Sequence, residues 1–557
     1  MHISRKLGAV LGSGALAFGA ACSQDLNVTN PNNPDVARAI ANPGDVQSLA
    51  VSSVQAWYVG SNEVDPWVML NVTGDLQTMN YGNFGARFNN LEPRIAYAND
   101  AANGDIEVAR DPWNYQYTSL GEANDVLKAL AGGLELPGGT DKYKALALWT
   151  QAASLMQLAL IYDKAFTVDE TFDKDTSHVE LVPYPQVEAF ALNKIDKLIA
   201  LTQQGMTEKW TYSATEFPLN VATGLDAAHL NAFANTMAAQ LLALSPRTAA
   251  EAKQVDWGKV LQYTQKGIGH NSSSPVAPFD FTVIGDGGNL WYAEFMGYAD
   301  LPSWMGVDQA LIHKMAPNVP PKYDGTPVAP VAPYDARIAI DTTKTANQNI
   351  YGADIVYKGK VIGDPTRGIY MQSPYYHMRY VNVSWQADVS FAGPMPYTLA
   401  AENDLLMAEA LIRTGGDRQL AADLINYTHV GRGKMPPVLA TDSDSAFMAA
   451  ITYEREVELD ATNGFGFFAL RHVDELQPGT VRHLPVPATE LETLSLPVYT
   501  FGGVGNPDMN SFPVGGGLSL SLSKAPGSTK QLELPNGRLM QLSFPPPRHA
   551  VRPSMLR

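Results

Sequence analysis

The amino-acid sequence predicts a mostly α-helical protein, an α-α superhelix of antiparallel helix pairs of the tetratricopeptide kind that is interrupted by a loop-rich region. Three observations support this fold class. Apolar residues recur at intervals of three and four residues in Asp141–Tyr162, as in an amphipathic helix. Similar segments with short joints follow one another, although no 34-residue period is preserved. Residues 271–395 break the pattern, because they are rich in Pro, Gly, Tyr and Trp.

The helical segments can be placed individually by their apolar stripes and their caps. Asp226 and Asp256 are typical helix N-cap residues, and Ser245-Pro246 ends the alanine-rich segment before it. Periodicity and capping residues predict helices over Asp141–Tyr162, Tyr184–Leu201, Asp226–Leu244, Asp256 to about Gly267, Leu399–Thr414, Gln419–Val430 and Asp444–Thr462.

The non-helical parts of the chain are the middle and the C-terminal tail. The pattern of residues 271–395 predicts loops with short strands or hairpins, and loops of this kind often carry ligand-binding residues. Residues 501–557 are rich in Gly and Pro and show little periodicity, so we predict a poorly ordered, atypical tail.

The N-terminus has the pattern of a secretory leader. Arg5 and Lys6 precede a short apolar segment, and small residues follow it up to Cys22, which is the only cysteine in 557 residues. We interpret residues 1–21 as a signal peptide and Cys22 as a lipidation site. Ordinary secretion with an incidental cysteine is the alternative. The polar residues of 22–40 are expected to form an extended tether that leads away from the lipid.

Composition excludes some function classes. The formal net charge is −17, and 39 basic residues face 56 acidic ones. Binding to nucleic acid or to an anionic lipid surface needs clustered Lys and Arg, so this charge argues against both partners. Length alone would suggest two to four domains.

Catalytic and metal-binding signatures are absent from the sequence. It contains no nucleophile elbow, zinc helix, phosphate-binding loop or calcium loop, and its 10 histidines are scattered. We therefore predict no enzyme, no cofactor and no metal site. Glu454, Glu456 and Glu458 lie near Arg455 at helical spacing, and we interpret them as surface ion pairs. Glycosidase chemistry stays open, because it needs two carboxyl groups across a cleft.

Aromatic residues are the best candidates for a binding site. Sugar rings stack their apolar faces on aromatic side chains, and polar residues bind the hydroxyl groups. Trp57 and Trp113 lie in helical surroundings and are expected in the core. The candidate ligand-binding residues lie in polar or loop-rich stretches, and for these both a pocket lining and a core position remain open: Tyr81, Arg87, Trp291, Tyr292 and Trp304.

An ordered set of motifs resembles one known family. The mature N-terminus CSQDLNVTNPNNPD is similar to the start of SusD/RagB-family lipoproteins. Further resemblances follow in the family's order at Glu402–Gly415, Ala421–Gly433, Ile451–Leu476 and Arg482–Leu491. One departure lies in the segment Ala421–Gly433, where His429 occupies the usual arginine position.

The resemblance implies a single domain over residues 41–500, with four tetratricopeptide-like helix pairs and a looped ligand-binding region. It also implies an outer-membrane lipoprotein, exposed on the cell surface, that captures glycans or other nutrients for a SusC-like TonB-dependent transporter. Residues 501–557 depart from the family, which usually ends soon after its last motif. Two alternatives remain, a surface glycoside hydrolase and a helical-repeat scaffold without a ligand.

Overall fold

The structure is a computed structural model that describes residues 41–172, 179–219, 224–287, 290–342, 353–362, 372–381 and 391–504, together with the backbone of two strands near the C-terminus. The predicted signal peptide, Cys22 and the predicted tether lie outside these residues. Within the described ranges, no helix has both the length and the apolar character needed to cross a bilayer.

Helices dominate the described chain, in agreement with the predicted fold class. In chain order they are α1 Pro43–Gly60, α2 Trp67–Thr73, α3 Ala86–Asn89, α4 Glu107–Ala131, α5 Thr140–Ile161, α6 Tyr184–Glu208, α7 Ala227–Leu244, α8 Ala249–Ala252, α9 Trp257–Thr264, α10 Glu294–Ala299, α11 Gln309–Met315, α12 Ala400–Thr414, α13 Arg418–His429, α14 Asp444–Val457, α15 Gly466–Arg471 and α16 Ala488–Thr493.

The strands are short and form small sheets rather than a layer. They are β1 Gln77–Met79, β2 Lys164–Phe166, β3 Leu181–Pro183, β4 Phe281–Asp286, β5 Met305–Val307, β6 Ile338–Ile340, β7 Ile355–Tyr357, β8 Tyr375–His377, β9 Ala392–Thr398, β10 Thr529–Glu533 and β11 Leu539–Ser543. The pairs β1–β5, β2–β3, β4–β9, β7–β8 and β10–β11 are antiparallel, and β6–β7 is parallel. Six of them, β4 to β9, fall in or at the edge of the predicted loop-rich region.

The long helices pack in the order of the chain. Neighbouring contacts run from α4 to α5, α5 to α6, α6 to α7, α7 to α9, α9 to α12 and α12 to α13 and α14, while α1 packs on α4 and α5. Each helix therefore buries its apolar stripe against the next one, as expected for stacked helix pairs.

Side-chain caps fix the predicted helix starts. The Asp226 carboxylate accepts a hydrogen bond from the His229 amide at 2.9 Å, and Asp256 accepts one from Lys259 at 2.9 Å. One end was predicted too early, because α6 continues past Leu201. It stops at Lys209, which has a φ of 60° in the left-handed region that ends helices.

One hydrophobic core cluster contains residues from Val46 near the N-terminus to Phe501 near the end of the described domain. Trp57 and Trp113 are 2% and 3% exposed within it, which confirms their predicted core positions. This core cluster therefore contains residues from both the beginning and the end of the range 46–501, although length alone suggested several domains.

The interpretation of Glu454, Glu456 and Glu458 as surface residues was wrong, because all three are buried, the first two on α14 and Glu458 at its C-cap. Their partners come from distant parts of the chain, which helical spacing cannot reveal. Both terminal nitrogens of the Arg337 guanidinium group, Nη1 and Nη2, donate to Glu454, at 2.8 and 2.9 Å. Nη1 also donates to Glu458 at 3.1 Å. The Lys314 ammonium donates to Glu456 at 2.6 Å.

A buried ion network extends from α14 in two directions. Asp335 binds Arg337 with both carboxylate oxygens, at 3.0 and 2.7 Å. His429, in the family's arginine position, hydrogen-bonds Glu454 at 2.9 Å. Burial raises the pKa of Glu454, but hydrogen bonds from His429 and Arg337 outweigh burial and lower it to about 2. The network ties the loop-rich region to α13 and α14.

Two fully buried arginines hold the C-terminal ends of α5 and α7. Arg471 donates to the carbonyl oxygens of Leu160 at 2.9 Å and Leu244 at 2.7 Å. Arg247 donates to those of Ala159 at 2.6 Å and Tyr162 at 3.0 Å. The last carbonyl groups of a helix lack partners within the helix and carry its negative dipole end, so buried guanidinium groups satisfy and neutralise them.

Residues 501 and 502 pack against the early part of the described chain. The Tyr97 amide donates to the Phe501 carbonyl at 2.9 Å, and Ala96 pairs with Gly502. Further on, β10 and β11 form an antiparallel hairpin within the predicted tail.

Candidate ligand-binding site

Two predicted site segments, one around Tyr81 and one around Trp304, are more than 200 positions apart in the sequence and are joined by a small sheet. The β1 strand pairs with β5 so that Met79 faces Met305. Just beyond this pair, the Asn80 amide donates to the Trp304 carbonyl at 2.7 Å, and the Asn80 side chain donates to the Pro302 carbonyl at 2.9 Å. The loop that begins at Tyr81 therefore lies beside Trp304.

Four aromatic rings meet at this junction and form what we call the aromatic platform: Tyr81, Phe84, Tyr298 and Trp304. The Trp304 ring lies 5.2 Å from Tyr81, 5.1 Å from Tyr298 and 6.5 Å from Phe84, between ring centroids. Phe84 also meets Tyr298 edge-on at 5.3 Å. All four side chains are half-buried, so the cluster is held by mutual packing yet reaches solvent.

The backbone before α3 turns sharply to present the platform. Gly82, Phe84 and Gly85 have φ values of 65°, 53° and 70°. A Cβ atom on Gly85 would lie 2.9 Å from Val108, so this position needs glycine for space as well as for its backbone angle. Arg87 follows the turn, is half-buried, and donates its amide to the Gly82 carbonyl at 3.2 Å.

Trp291 does not belong to the platform. It is 5% exposed, and its ring packs 5.1 Å from Phe217 and 5.6 Å from Tyr58 within the core. For this residue the structure supports the core alternative, because its ring is enclosed by other core side chains. Its neighbour Tyr292 is half-buried and lies 6.1 Å from the Phe391 ring. Of the five predicted residues, Tyr81 and Trp304 meet directly, and Arg87 lies in the adjoining turn.

A pair of carboxyl groups lies next to the platform. Glu294 precedes Tyr298 by one turn of α10, and its side chain is hydrogen-bonded to that of Glu63. Burial, and then the hydrogen bond to Glu294, raise the pKa of Glu63 to about 9, so Glu63 holds a proton at neutral pH. Burial also raises the pKa of Tyr298 to about 12, with a smaller contribution from the charges of Glu294 and Glu63.

The sequence argument missed Tyr298 and the carboxyl pair. Tyr298 falls in the same loop-rich stretch as Trp304, and this shared composition was the one available signal. Glu63 and Glu294 are 231 positions apart, so no local pattern could pair them.

Comparison with known proteins gives a consistent fold. No family model matches the sequence, and no curated protein matches it. Among solved structures, a SusD superfamily protein from Parabacteroides distasonis ATCC 8503 is 13% identical. The match covers 81% of this chain and 97% of that one, with a TM-score of 0.56.

Two further structures have printed descriptions that mention ligands. Surface glycan-binding protein A from Bacteroides thetaiotaomicron is 11% identical over 83% of this chain and 99% of its own, with a TM-score of 0.54. A SusD-like carbohydrate-binding protein from Bacteroides fragilis NCTC 9343 is 15% identical over 78% and 86%, with a TM-score of 0.51. The described part of this chain therefore has the fold of the SusD superfamily, which the ordered motifs of the sequence predicted.

Proposed function

We propose that the chain is a cell-surface lipoprotein that binds an oligosaccharide at the aromatic platform and delivers it to a SusC-like TonB-dependent outer-membrane transporter. The observation that carries this proposal is the platform itself, with four half-buried rings that pack against one another. Ring faces of this kind bury the apolar side of a sugar, and Arg87 in the adjoining turn can donate hydrogen bonds to its hydroxyl groups. Solved structures with the same fold include proteins described as glycan-binding.

Binding without hydrolysis fits the carboxyl groups beside the platform. A retaining glycosidase holds its two carboxyl groups about 5–5.5 Å apart and an inverting one about 6.5–9.5 Å apart. Glu63 and Glu294 are instead in direct hydrogen-bond contact, which leaves no room for a sugar bond or a water between them. The half-exposed rings likewise favour a ligand-binding role over a pure scaffold.

Replacing Trp304 with alanine tests the platform. The change should weaken oligosaccharide binding by roughly 5- to 150-fold, because one stacked ring contributes on the order of 1–3 kcal/mol. Isothermal titration calorimetry with a soluble form that lacks residues 1–22 measures the affinity, and thermal melting confirms that the variant is folded. Tyr427→Ala is the matched control, since Tyr427 is 55% exposed but lies outside the platform.

Three outcomes would contradict this assignment. Unchanged binding by Trp304→Ala, or an equal loss in the Tyr427→Ala control, would remove the platform as the binding site. Collapse of the Trp304→Ala fold would place that ring in the core. Shortening of the oligosaccharide during a day of incubation with the wild-type protein would replace the binding role with an enzymatic one.

The lipid anchor is tested at Cys22, which is the only thiol in the chain. Metabolic labelling with a radioactive fatty acid should label the wild-type protein and leave Cys22→Ser unlabelled, because thiol acylation needs the cysteine. The wild type should fractionate with outer membranes and co-purify with a TonB-dependent transporter in mild detergent. Equal labelling of both proteins, or a mature mass that shows cleavage elsewhere, would contradict the anchor.

A further inference from the structure

A dense group of acidic side chains borders the aromatic platform. We call it the acidic cluster, and its members are Glu63, Asp65, Asp105, Glu107, Asp111 and Glu294. It reaches the platform from two sides. Glu294 shares α10 with Tyr298, and Asp105 accepts a hydrogen bond from the backbone of Gly85 in the turn that presents Phe84.

The positive charge in this region is smaller. Arg110 donates to Asp111 at 2.7 Å, and Arg87 lies close enough to Asp105 to lower the pKa of that carboxyl, although burial has the larger, opposite effect. Because Glu63 holds a proton, five carboxyl groups face two guanidinium groups. The imbalance makes the surroundings of the platform electrostatically negative.

Within the cluster, Asp65 is surrounded by other carboxyl groups, and one of its oxygen atoms has no hydrogen-bond donor among the described residues. Burial, and then the charges of Glu107 and Asp111, hold the pKa of Asp65 well above its usual range. Asp65 is only 6% exposed, and its Oδ1 has no hydrogen-bond partner among the described residues. A further negative charge near Asp65 would therefore add to the repulsion among these carboxyl groups, whereas a neutral or cationic group would not.

We propose that the site takes oligosaccharides that are neutral or carry free amino groups, and that the acidic cluster excludes uronic-acid and sulfated chains. This inference rests on the proposed glycan-binding function and adds the chemical class of the ligand. An anionic sugar stacked on Tyr298 would lie within a few ångströms of Glu294, where Coulomb repulsion is only partly screened by water and salt.

Six tetrasaccharides test the selectivity: 1,4-linked chains of glucose, glucosamine and glucuronic acid, each in the α and the β linkage. Within one linkage they differ only at C2 or C6, so charge is the main variable. Calorimetry at about pH 6 and low salt should show the glucuronic acid chain binding at least about tenfold more weakly than the glucose chain. The glucosamine chain should bind about threefold or more tightly than glucose, and this advantage should shrink at high salt.

A charge variant locates the effect. Glu294→Gln should reduce the ratio of glucosamine to glucose affinity, because it removes a carboxylate beside Tyr298 without changing its shape. Asp423→Asn, an exposed carboxylate on α13 away from the cluster, should leave the ratio unchanged.

The outcomes separate the inference from the function on which it rests. Binding of the glucuronic acid chain as tight as that of glucose, or an equal change of ratio in both variants, would overturn the charge selectivity and leave glycan binding intact. If none of the six chains binds, glycan binding at this platform is itself contradicted, and the selectivity falls with it.

Discussion

Replacing Arg337 with methionine is expected to lower the free energy of unfolding by about 3–5 kcal/mol, because breaking a buried ion network leaves uncompensated charges in the interior. Arg337 is 3% exposed and holds Asp335, Glu454 and Glu458, all of which are buried. Methionine would fill a similar volume and satisfy none of these carboxylates. Chemical denaturation of the wild type and the variant at neutral pH measures the difference.

Lys259→Met is the matched control for this prediction. Lys259 and Asp196 form an ion pair at 3.7 Å with side chains 38% and 46% exposed, and exposed pairs contribute only about 0–1 kcal/mol. An Arg337→Met loss as small as that of the control would show that the network does not stabilise the fold.

The same network predicts how stability depends on acid. The pKa of Glu454 lies near 2 in the folded protein, below its ordinary value of 4.5. A carboxyl with a lowered pKa stabilises the fold above its unfolded pKa, and this contribution is lost as the pH falls through the folded value. The wild type should therefore lose this contribution between about pH 4.5 and 2, whereas Arg337→Met should have lost most of it already at neutral pH.

Replacing Arg471 with methionine is the second change with a large expected effect, a loss of roughly 3 kcal/mol. The guanidinium group donates to the carbonyl oxygens of Leu160, Leu244 and Arg482, and all three would lose a buried donor. Relief of repulsion from Arg247 offsets part of the cost. Burial and that neighbour already hold the pKa of Arg471 well below its usual range.

Arg482→Met tests whether the loss of stability depends on the buried position of Arg471 or only on the removal of a positive charge. Its side chain is 21% exposed and donates to Asp474 at 3.4 Å, so its loss should cost under about 1 kcal/mol. Thermal melting and urea denaturation of both variants give the comparison. A greater loss for Arg482→Met than for Arg471→Met would mean that the helix ends do not depend on the buried guanidinium.

Local chemistry made most of the helical array predictable from sequence. The caps at Asp226 and Asp256 and the stripe from Leu146 to Leu160 act within a few residues, so a single sequence contains them. The candidate site was only partly predictable, because its residues come from distant parts of the chain. Trp291 and Trp304 lie in similar loop-rich sequence, and what separates them is tertiary packing, which places one ring against Phe217 and the other against Tyr81.

The buried ion network was misjudged for a related reason. Glu454 and Arg337 are 117 positions apart, and the carboxylates of α14 have the spacing of an exposed helical face. Their burial follows from cations on other elements, which no window along α14 contains. Arg455, between these carboxylates in the sequence, likewise pairs with a distant carboxylate, Glu409 on α12.

The junction between the two ends of the domain bears on how the chain folds. The Asn99 side chain donates to the carbonyl of Tyr499, 400 positions later, and Tyr97 pairs with Phe501. The early part of the domain therefore depends on partners about 400 positions later in the chain, and contacts so distant in sequence form slowly. Closure of this junction therefore requires the segments around Tyr97 and Phe501 to meet, so a chain cut before residue 499 would leave the early segment without these partners.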